Sequence, residues 1–300
     1  MNRIVAVAGL VLWVAICQAQ HLYSTDRLFQ DLKILAADSM EGRKTSTPGN
    51  FKARNFLISR LKDIQVKPLL NNYEQPFTIT RQFGMLQSGD GVNILGVIDG
   101  QRKETIVISA HYDHVGVMRQ NIYNGADDNA SGAAALLAIA DYFKRHKPRH
   151  RLILAFFDAE EIGLKGSEHF VRSVDLAAEK IVLNINMDMI SRSEIGELYI
   201  CGTSFTPSLR QALAPLKVPE KMLLRYGHDD PASGRNDWTN QSDHYNFHRQ
   251  RIPFLYFGVE DHPDYHQPTD TVEKIDLDFY KDSVETILQA IQLLDNSLTK

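Results

Sequence analysis

Short apolar runs alternate along the chain with longer segments whose apolar residues recur at helical spacing. The apolar runs predict strands at 92–97, 105–109, 152–157, 181–187, 198–201 and 253–257. The segments with helical spacing are 26–37, 51–64, 132–144, 208–216 and 279–294. Strands that alternate with helices are typical of a mainly parallel sheet covered by helices, so the pattern predicts one mixed α/β domain. The closely spaced runs 92–97 and 105–109 leave an antiparallel hairpin open as an alternative.

Composition narrows the class of protein further. The chain has 300 residues, 43% of them hydrophobic and 23% charged, which is enough to build one large α/β domain or two small ones. The formal net charge is −4 and no dense run of basic residues occurs. Nucleic acid is therefore not an expected partner, and small molecules or peptides fit better.

The first residues resemble a secretory leader. An apolar stretch at 4–16 is followed by small residues ending at Ala19, which predicts a signal peptide over 1–19 and an exported domain over 20–300. The stretch is too short for a comfortable membrane span, so we expect a periplasmic or extracellular protein without stable membrane insertion. Removal of the leader would leave Cys201 as the only thiol, which excludes an internal disulfide.

Two acidic residues, Glu160 and Glu161, directly follow the apolar run 152–157. Ligand sites in open α/β sheets lie at such strand ends, although paired acids alone more often cap helices or occupy solvated turns. His111 likewise follows the run 105–109. Asp113, two residues further on, is spaced to bind the other ring nitrogen of His111.

The turn that opens the predicted helix 132–144 is also unusually acidic. Asp127, Asp128 and Asn129 stand together between glycines, whereas a helix cap needs only one such residue. A carboxylate held there could bridge two cations. Asp188 ends the run 181–187, and a buried carboxylate without a partner is costly.

Parallel strands bring their carboxyl ends to one edge of a sheet. The reactive residues predicted to meet there are His111, Asp127, Asp128, Glu160, Glu161, Asp188 and a histidine of the segment 262–271, which follows the run 253–257. Zinc accepts imidazole and carboxylate ligands, and two zinc ions that share a carboxylate and a water generate a strong nucleophile at neutral pH. The pattern therefore predicts a dinuclear hydrolase.

The ordered motifs resemble the M28 family of zinc aminopeptidases. They are His111-Tyr112-Asp113, the segment Gly-Ala-Asp-Asp-Asn-Ala-Ser-Gly at 125–132, Asp158-Ala159-Glu160-Glu161-Ile162-Gly163, Asn186-Met187-Asp188 and Tyr265-His266. Segments 41–43 and 270–271 also resemble that family's frame. The resemblance implies a zinc exopeptidase fold of the phosphorylase/hydrolase-like type, and the short interval between residues 97 and 111 leaves no room for the protease-associated insert of some relatives.

The resemblance also implies a ligand set for two Zn²⁺ ions. His111 and Asp188 would hold one ion, Glu161 and His266 the other, and Asp128 would bridge both.

Three further residues have implied roles in catalysis. Glu160 would be the general base that takes a proton from the metal-bridging water and returns it to the leaving amine. Asp113 would orient His111. Tyr265 would stabilise the oxyanion with its hydroxyl, or pack as an aromatic residue at the rim of the site.

Six other histidines are expected at the surface or in supporting positions. They are His114, His169, His228, His244, His248 and His262. The segment Ser242-Asp243-His244 also resembles a family segment, without a ligand role. The irregular stretch 226–241 is the main candidate for substrate selection.

An exported aminopeptidase acting on peptides is the function favoured by these motifs. A dipeptidase or carboxypeptidase of the same family would need a cation for the substrate carboxylate, which Arg225 or Arg235 could supply. A glutaminyl cyclase-like transferase is expected to use a single zinc ion, and a non-catalytic binding domain is expected to have lost ligands. The preferred side chain, the metal bound in the cell and the oligomeric state are left open.

Overall fold

The computed structural model describes residues 22–70, 72–80, 89–173 and 176–298. The proposed leader, 1–19, lies outside these residues. The helices are Thr25–Leu35 (α1), Pro48–Asp63 (α2), Gly132–Arg145 (α3), Lys165–Ser173 (α4), Leu176–Glu179 (α5), Pro207–Ala212 (α6), His244–Arg249 (α7) and Leu277–Ser297 (α8). The strands are Lys67–Pro68 (β1), Glu74–Ile79 (β2), Gly89–Ile98 (β3), Thr105–His111 (β4), Gly116–Met118 (β5), Asn121–Tyr123 (β6), Arg151–Phe157 (β7), Ile181–Met187 (β8), Glu197–Cys201 (β9), Leu223–Tyr226 (β10) and Phe254–Gly258 (β11).

The long helices begin at side chains that accept hydrogen bonds from free backbone N–H groups. Ser24 caps α1 and Thr47 caps α2, where Pro48 also occupies the first turn. Asp276 caps α8 by accepting from the N–H groups of Asp278 and Phe279. Such caps satisfy donors that have no partner within the helix, and they explain where these helices start.

One mixed sheet organises the molecule, in the strand order β1-β3-β7-β4-β8-β11-β9-β10, with β2 also paired to β3. The central strands β7, β4, β8 and β11 are parallel, whereas β3 and β9 run antiparallel to their inner neighbours. The predicted mixed, mainly parallel sheet is confirmed. The alternative hairpin of 92–97 with 105–109 is wrong, because β7 lies between β3 and β4. The near-continuous apolar sequence of β7 favours that central position.

Helices cover both faces of the sheet. Ile106 and Ile108 of β4 belong to the larger apolar cluster, which includes residues of α1, α3 and α8. Val107 points to the opposite face, where it packs in a smaller cluster with Phe170 of α4 and Phe247 of α7. This alternation follows from the two-residue period of a strand. Within the described residues, no helix is both long and apolar enough to cross a membrane.

Candidate metal centre

The carboxyl ends of four strands meet at one edge of the sheet. β7, β4, β8 and β11 are adjacent and parallel, so they end side by side. Residues that immediately follow these strands are therefore brought together even though they are far apart in sequence. This edge is where ligands bind in open α/β sheets.

A first group of metal-ligand atoms comprises His111, Asp128 and Asp188. His111 Nε2 lies 3.1 Å from Asp188 Oδ1 and 3.3 Å from Asp128 Oδ1, and all three side chains are buried. Asp188 is held in place by Ser242, whose hydroxyl donates to Asp188 Oδ2 at 2.7 Å. The segment 242–244, noted in the sequence without a ligand role, thus contributes a support for Asp188.

A second group comprises His114, Asp128, Glu161 and His266. His266 Nε2 lies 3.1 Å from Asp128 Oδ2 and 3.0 Å from Glu161 Oε2. Asp128 therefore presents one carboxylate oxygen to each group. In both groups the ligand atoms lie within 4.8 Å of one another. Imidazole nitrogens and carboxylate oxygens are ligands that zinc accepts, so the residues present fit two zinc ions that share Asp128.

Imidazoles and carboxylates shift one another's pKa values among these ligands. Burial would lower the pKa of His111, but the carboxylates of Asp188 and Glu160 hold it well above its usual value. Burial would raise the pKa of Asp128, but the imidazoles of His114 and His111 hold it well below its usual value. The ionised form of Asp128 is thus favoured by positive charge beside it, which is also what a metal ion supplies.

Glu160 and Glu161 are neighbours with opposite electrostatic environments. Burial raises the pKa of Glu160 well above its usual value, and the carboxylates of Asp188 and Glu161 add to this shift. Burial also acts on Glu161, but charge and hydrogen bonds from His114 and His266 lower its pKa to about 2. When the pKa values of two neighbouring carboxyl groups differ in this way, one group can exchange a proton while the other stays ionised.

Asp113 contacts both sides of the site. Its backbone carbonyl lies 3.2 Å from His111 Nδ1, closer than its carboxylate at 3.7 Å. The carboxylate accepts hydrogen bonds from the N–H groups of Glu160 at 3.0 Å and Glu161 at 3.4 Å. The orienting contact to His111 thus comes first from the main chain, while the side chain shapes the 160–161 turn.

The turn that carries Asp128 is anchored by two other aspartates. Asp270 is fully buried and accepts hydrogen bonds from the N–H groups of Asp127 and Asp128. Asp127 accepts from the N–H and hydroxyl of Ser191 at 2.8 and 2.6 Å, and contacts His262 Nε2 at 3.1 Å. These contacts separate the two adjacent acids, because Asp127 points into the protein and Asp128 points into the site.

Arg43 ties this turn to the end of β4. Its buried guanidinium has no role in the sequence prediction beyond its place in segment 41–43. It donates to five backbone carbonyls, those of Leu35, Tyr112, Asn124, Gly125 and Asp128. The planar arrangement of five donors in arginine makes such a set of contacts available to no other side chain.

Replacing Asp270 by Ala is expected to destabilise the metal-free protein. The N–H groups of Asp127 and Asp128 would lose their buried acceptor, at a cost of about 1–3 kcal/mol for each group left unsatisfied. Urea unfolding of the metal-free variant measures this loss. Asp278→Ala is the matched control because that side chain is 83% exposed. Equal stability of the two variants would contradict the anchoring role.

Tyr265 lies beside the second group of ligands. Its ring stacks on that of His266, with 4.0 Å between centroids and 24° between planes. Burial raises the pKa of its hydroxyl, and the carboxylate of Asp128 adds to the shift. The hydroxyl therefore stays protonated and able to donate a hydrogen bond.

A cavity of about 320 Å³ opens next to the ligands. Its lining combines site residues with apolar and basic side chains: Lys44, Thr45, Asp113, His114, Val115, Met118, Glu161, Ile162 and His266. The β5–β6 hairpin carries Met118, which is 43% exposed. Its two strands have only three residues each, too few to show a periodic pattern, so the hairpin is absent from the predicted elements.

The irregular stretch 226–241 is attached to the sheet by aromatic contacts. His228 stacks on Trp238, with 3.7 Å between centroids and 3° between planes. Trp238 also contacts the rings of Tyr199 on β9 and Tyr256 on β11. Substrate selection by this stretch remains a prediction.

Comparison with known proteins agrees with this geometry. The model of the family described as "Peptidase family M28" matches residues 93–291, which is about two thirds of the chain. The chain belongs to peptidase family M28. The resemblance seen in the sequence motifs is thereby confirmed for the family.

Relatives of this M28 chain include Aminopeptidase YwaD of Bacillus subtilis, 27% identical over 216 residues that cover 66% of this chain and 44% of the relative. A "Probable leucine aminopeptidase" of Trichophyton verrucosum is 27% identical over 195 residues, covering 61% of this chain and 52% of the relative. The matches thus span about half of the length of these curated relatives.

Solved structures share the fold. The zinc aminopeptidase BSAP from Bacillus subtilis superposes with a TM-score of 0.73 at 16% identity, over 90% of this chain and 95% of that one. Fimbriiglobus ruber glutaminyl cyclase superposes with a TM-score of 0.72 at 19% identity, over 90% and 95%. At these identities the likeness establishes the fold, which hydrolases and cyclases both use.

Proposed function

We propose that this M28 chain is an exported dinuclear zinc aminopeptidase that hydrolyses the amino-terminal peptide bond of peptides. The observation that carries the proposal is the pair of ligand groups joined by Asp128, with one carboxylate oxygen facing each group. The aminopeptidase names of its relatives support the same activity. Export rests on the leader at 1–19, and the amino terminus of the secreted protein, read by mass spectrometry, tests it.

The protein residues divide the reaction between them. Zinc ions held by the two groups would polarise the scissile carbonyl and lower the pKa of water. Glu160 accepts a proton from the water as the new C–O bond forms, and it then passes that proton to the nitrogen of the leaving amine as the C–N bond breaks. Tyr265 donates its hydroxyl proton in a hydrogen bond to the oxyanion. Ser242 and Asp113 keep Asp188 and the 160–161 turn in position.

A substrate panel combined with metal analysis tests this function. We expect two zinc ions per chain, hydrolysis of aminoacyl amides and free peptides, and no hydrolysis of peptides blocked at the amino terminus. Peptides that begin with glutamine should lose that residue by hydrolysis. Cyclisation of the same peptides without hydrolysis, by a protein with one zinc ion, would instead identify a glutaminyl cyclase.

A dipeptidase is the second candidate, and Lys44 is the observation that favours it. Lys44 lines the cavity beside Glu161 and His266, and it has no ion pair within the described residues. Arg225, a cation considered from the sequence, pairs with Glu197 instead. A free ammonium group in the cavity could bind the carboxylate of a short substrate.

Replacing Lys44 by Met tests this binding. If Lys44 binds the substrate carboxylate, KM for dipeptides should rise about tenfold, the effect of losing roughly 1.4 kcal/mol, while kcat and KM for dipeptide amides stay unchanged. Lys44→Arg, which keeps the charge, should restore most of the affinity. A parallel change for dipeptides and their amides would exclude carboxylate recognition by Lys44.

A further inference from the structure

His114, a member of the second group, lies closer to Glu161 than to Asp128. Its side chain is fully buried, and His114 Nδ1 is 2.6 Å from Glu161 Oε1. By contrast, His266 Nε2 lies 3.0 Å from Glu161 Oε2 and 3.1 Å from Asp128 Oδ2. His114 Nδ1 is 3.6 Å from Asp128 Oδ2. The contact is slightly shorter than the roughly 2.7–2.9 Å usual for a charge-assisted hydrogen bond, and it reaches the Glu161 oxygen that does not face His266.

We infer that His114 is a positioning residue for the second metal ion, in which Nδ1–H donates to Glu161 Oε1 and so directs Glu161 Oε2 towards the ion. This inference rests on the proposed dinuclear function. Carboxylates that bind metals are themselves commonly held by hydrogen bonds, and these partners tune the affinity for the metal. His114 thereby has a specific role rather than the general supporting position expected from the sequence.

The surroundings of the ring determine which nitrogen carries the proton. His114 Nε2 is buried and has no hydrogen-bond partner in the part of the chain that the structure describes, whereas Nδ1 faces a carboxylate. A proton on Nδ1 is therefore favoured. Gly125, with φ +58°, packs against the ring, and a Cβ atom there would lie 2.4 Å from His114 Cδ2. This close packing holds the ring in the orientation that the hydrogen bond needs.

The two histidines of the 111–114 segment thus act through different nitrogens. His111 directs Nε2 into the first group and binds a backbone carbonyl through Nδ1. His114 directs Nδ1 to Glu161. The segment 111–114 at the end of β4 therefore serves both metal positions. His111 belongs to the first ligand group, and His114 acts on the second through Glu161.

Two substitutions separate this role from simple packing. The amide nitrogen of asparagine occupies nearly the place of a histidine Nδ1, whereas that of glutamine lies nearer the place of Nε2. His114→Asn should bind the second zinc ion nearly as tightly as the wild type, and His114→Gln should bind it about 10–100-fold more weakly. Both variants should bind the first ion as the wild type does.

Zinc affinity is measured by competition with a chromophoric chelator, on the full chain and without substrate. Thermal unfolding of the metal-free variants shows whether they fold equally well. His169→Asn is the matched control, since that ring stacks on Phe77 and lines a different cavity. Its affinity for both ions should not change.

Several outcomes would overturn the inference. Unchanged binding in both His114 variants would show that the hydrogen bond has no effect on the metal. The two His114 variants could instead lose the second ion equally, and the spectrum of the cobalt-substituted protein could show the loss of a nitrogen ligand. That result would make His114 a direct ligand. If the wild type binds only one zinc ion, the dinuclear proposal fails. The difference in affinity for that ion between His114→Asn and His114→Gln still decides whether His114 is a positioning residue.

Discussion

Replacing Glu160 by Gln is expected to lower kcat at least about a hundredfold while both zinc ions remain bound. Glutamine keeps the shape of the side chain but cannot accept a proton from water. The raised pKa of Glu160 and the lowered pKa of Glu161 agree with the proposal that Glu160 transfers the proton and Glu161 binds the metal. Steady-state kinetics and metal analysis of the same preparation measure both parts of this prediction.

Glu161→Gln is the matched control. It removes one charge from a group that also contains Asp128 and His266, so the second ion should bind more weakly and activity should recover when zinc is added in excess. Glu160→Gln should not recover. Reversed behaviour of the two variants would mean that the base and the ligand are assigned the wrong way round.

Removing the metal is expected to abolish activity and to destabilise the fold. The carboxylates of Asp128, Glu160, Glu161 and Asp188 are crowded at one edge of the sheet. Without cations they repel one another, or must take up protons. An ion present at a hundred times its dissociation constant stabilises the folded state by about 2.7 kcal/mol, because it binds only that state.

Thermal unfolding before and after treatment with a chelator measures this effect. The melting temperature should fall by several degrees, and zinc should restore both the temperature and the activity. Magnesium is the control ion, since it prefers octahedral oxygen ligands and suits a site with imidazoles poorly. An unchanged melting temperature after complete removal of zinc would show that the metal contributes nothing to stability.

The central strands and long helices could be predicted because burial leaves a periodic record in the sequence. The predicted strand 181–187 agrees with β8 at both ends, and the predicted helix 132–144 agrees with α3 to within one residue. The predicted helix 208–216 is too long, since α6 ends at Ala212. Pro215 explains the difference, because it disfavours helical geometry at the residue before it.

Short and partly exposed elements left no such record. The four-residue strand β10 and the hairpin β5–β6 carry too few residues for a period to be visible, and they depend on neighbours from distant parts of the chain. The hairpin nevertheless contributes Met118 to the cavity beside the metal centre. The sequence therefore did not predict this part of the cavity lining.

What the sequence alone determined is the chemistry available at the ends of the buried strands. Apolar runs predict buried strands, and His111, Glu161 and Asp188 lie at or beyond the ends of three of them, so the local sequence supplies imidazoles and carboxylates at strand ends. The family resemblance added Asp128 as the residue expected to bridge the ions.

Only the tertiary structure decided how these residues are held. His111 and His114 are three positions apart, and such residues on an extended chain face opposite sides. The sequence around His114 therefore does not predict its contact with Glu161. The anchoring of Asp128 by Asp270 and Arg43 likewise joins segments separated by more than eighty residues. Such contacts follow from how distant segments pack, because a hydrogen bond depends on position and direction in space, which the spacing of residues along the chain does not record.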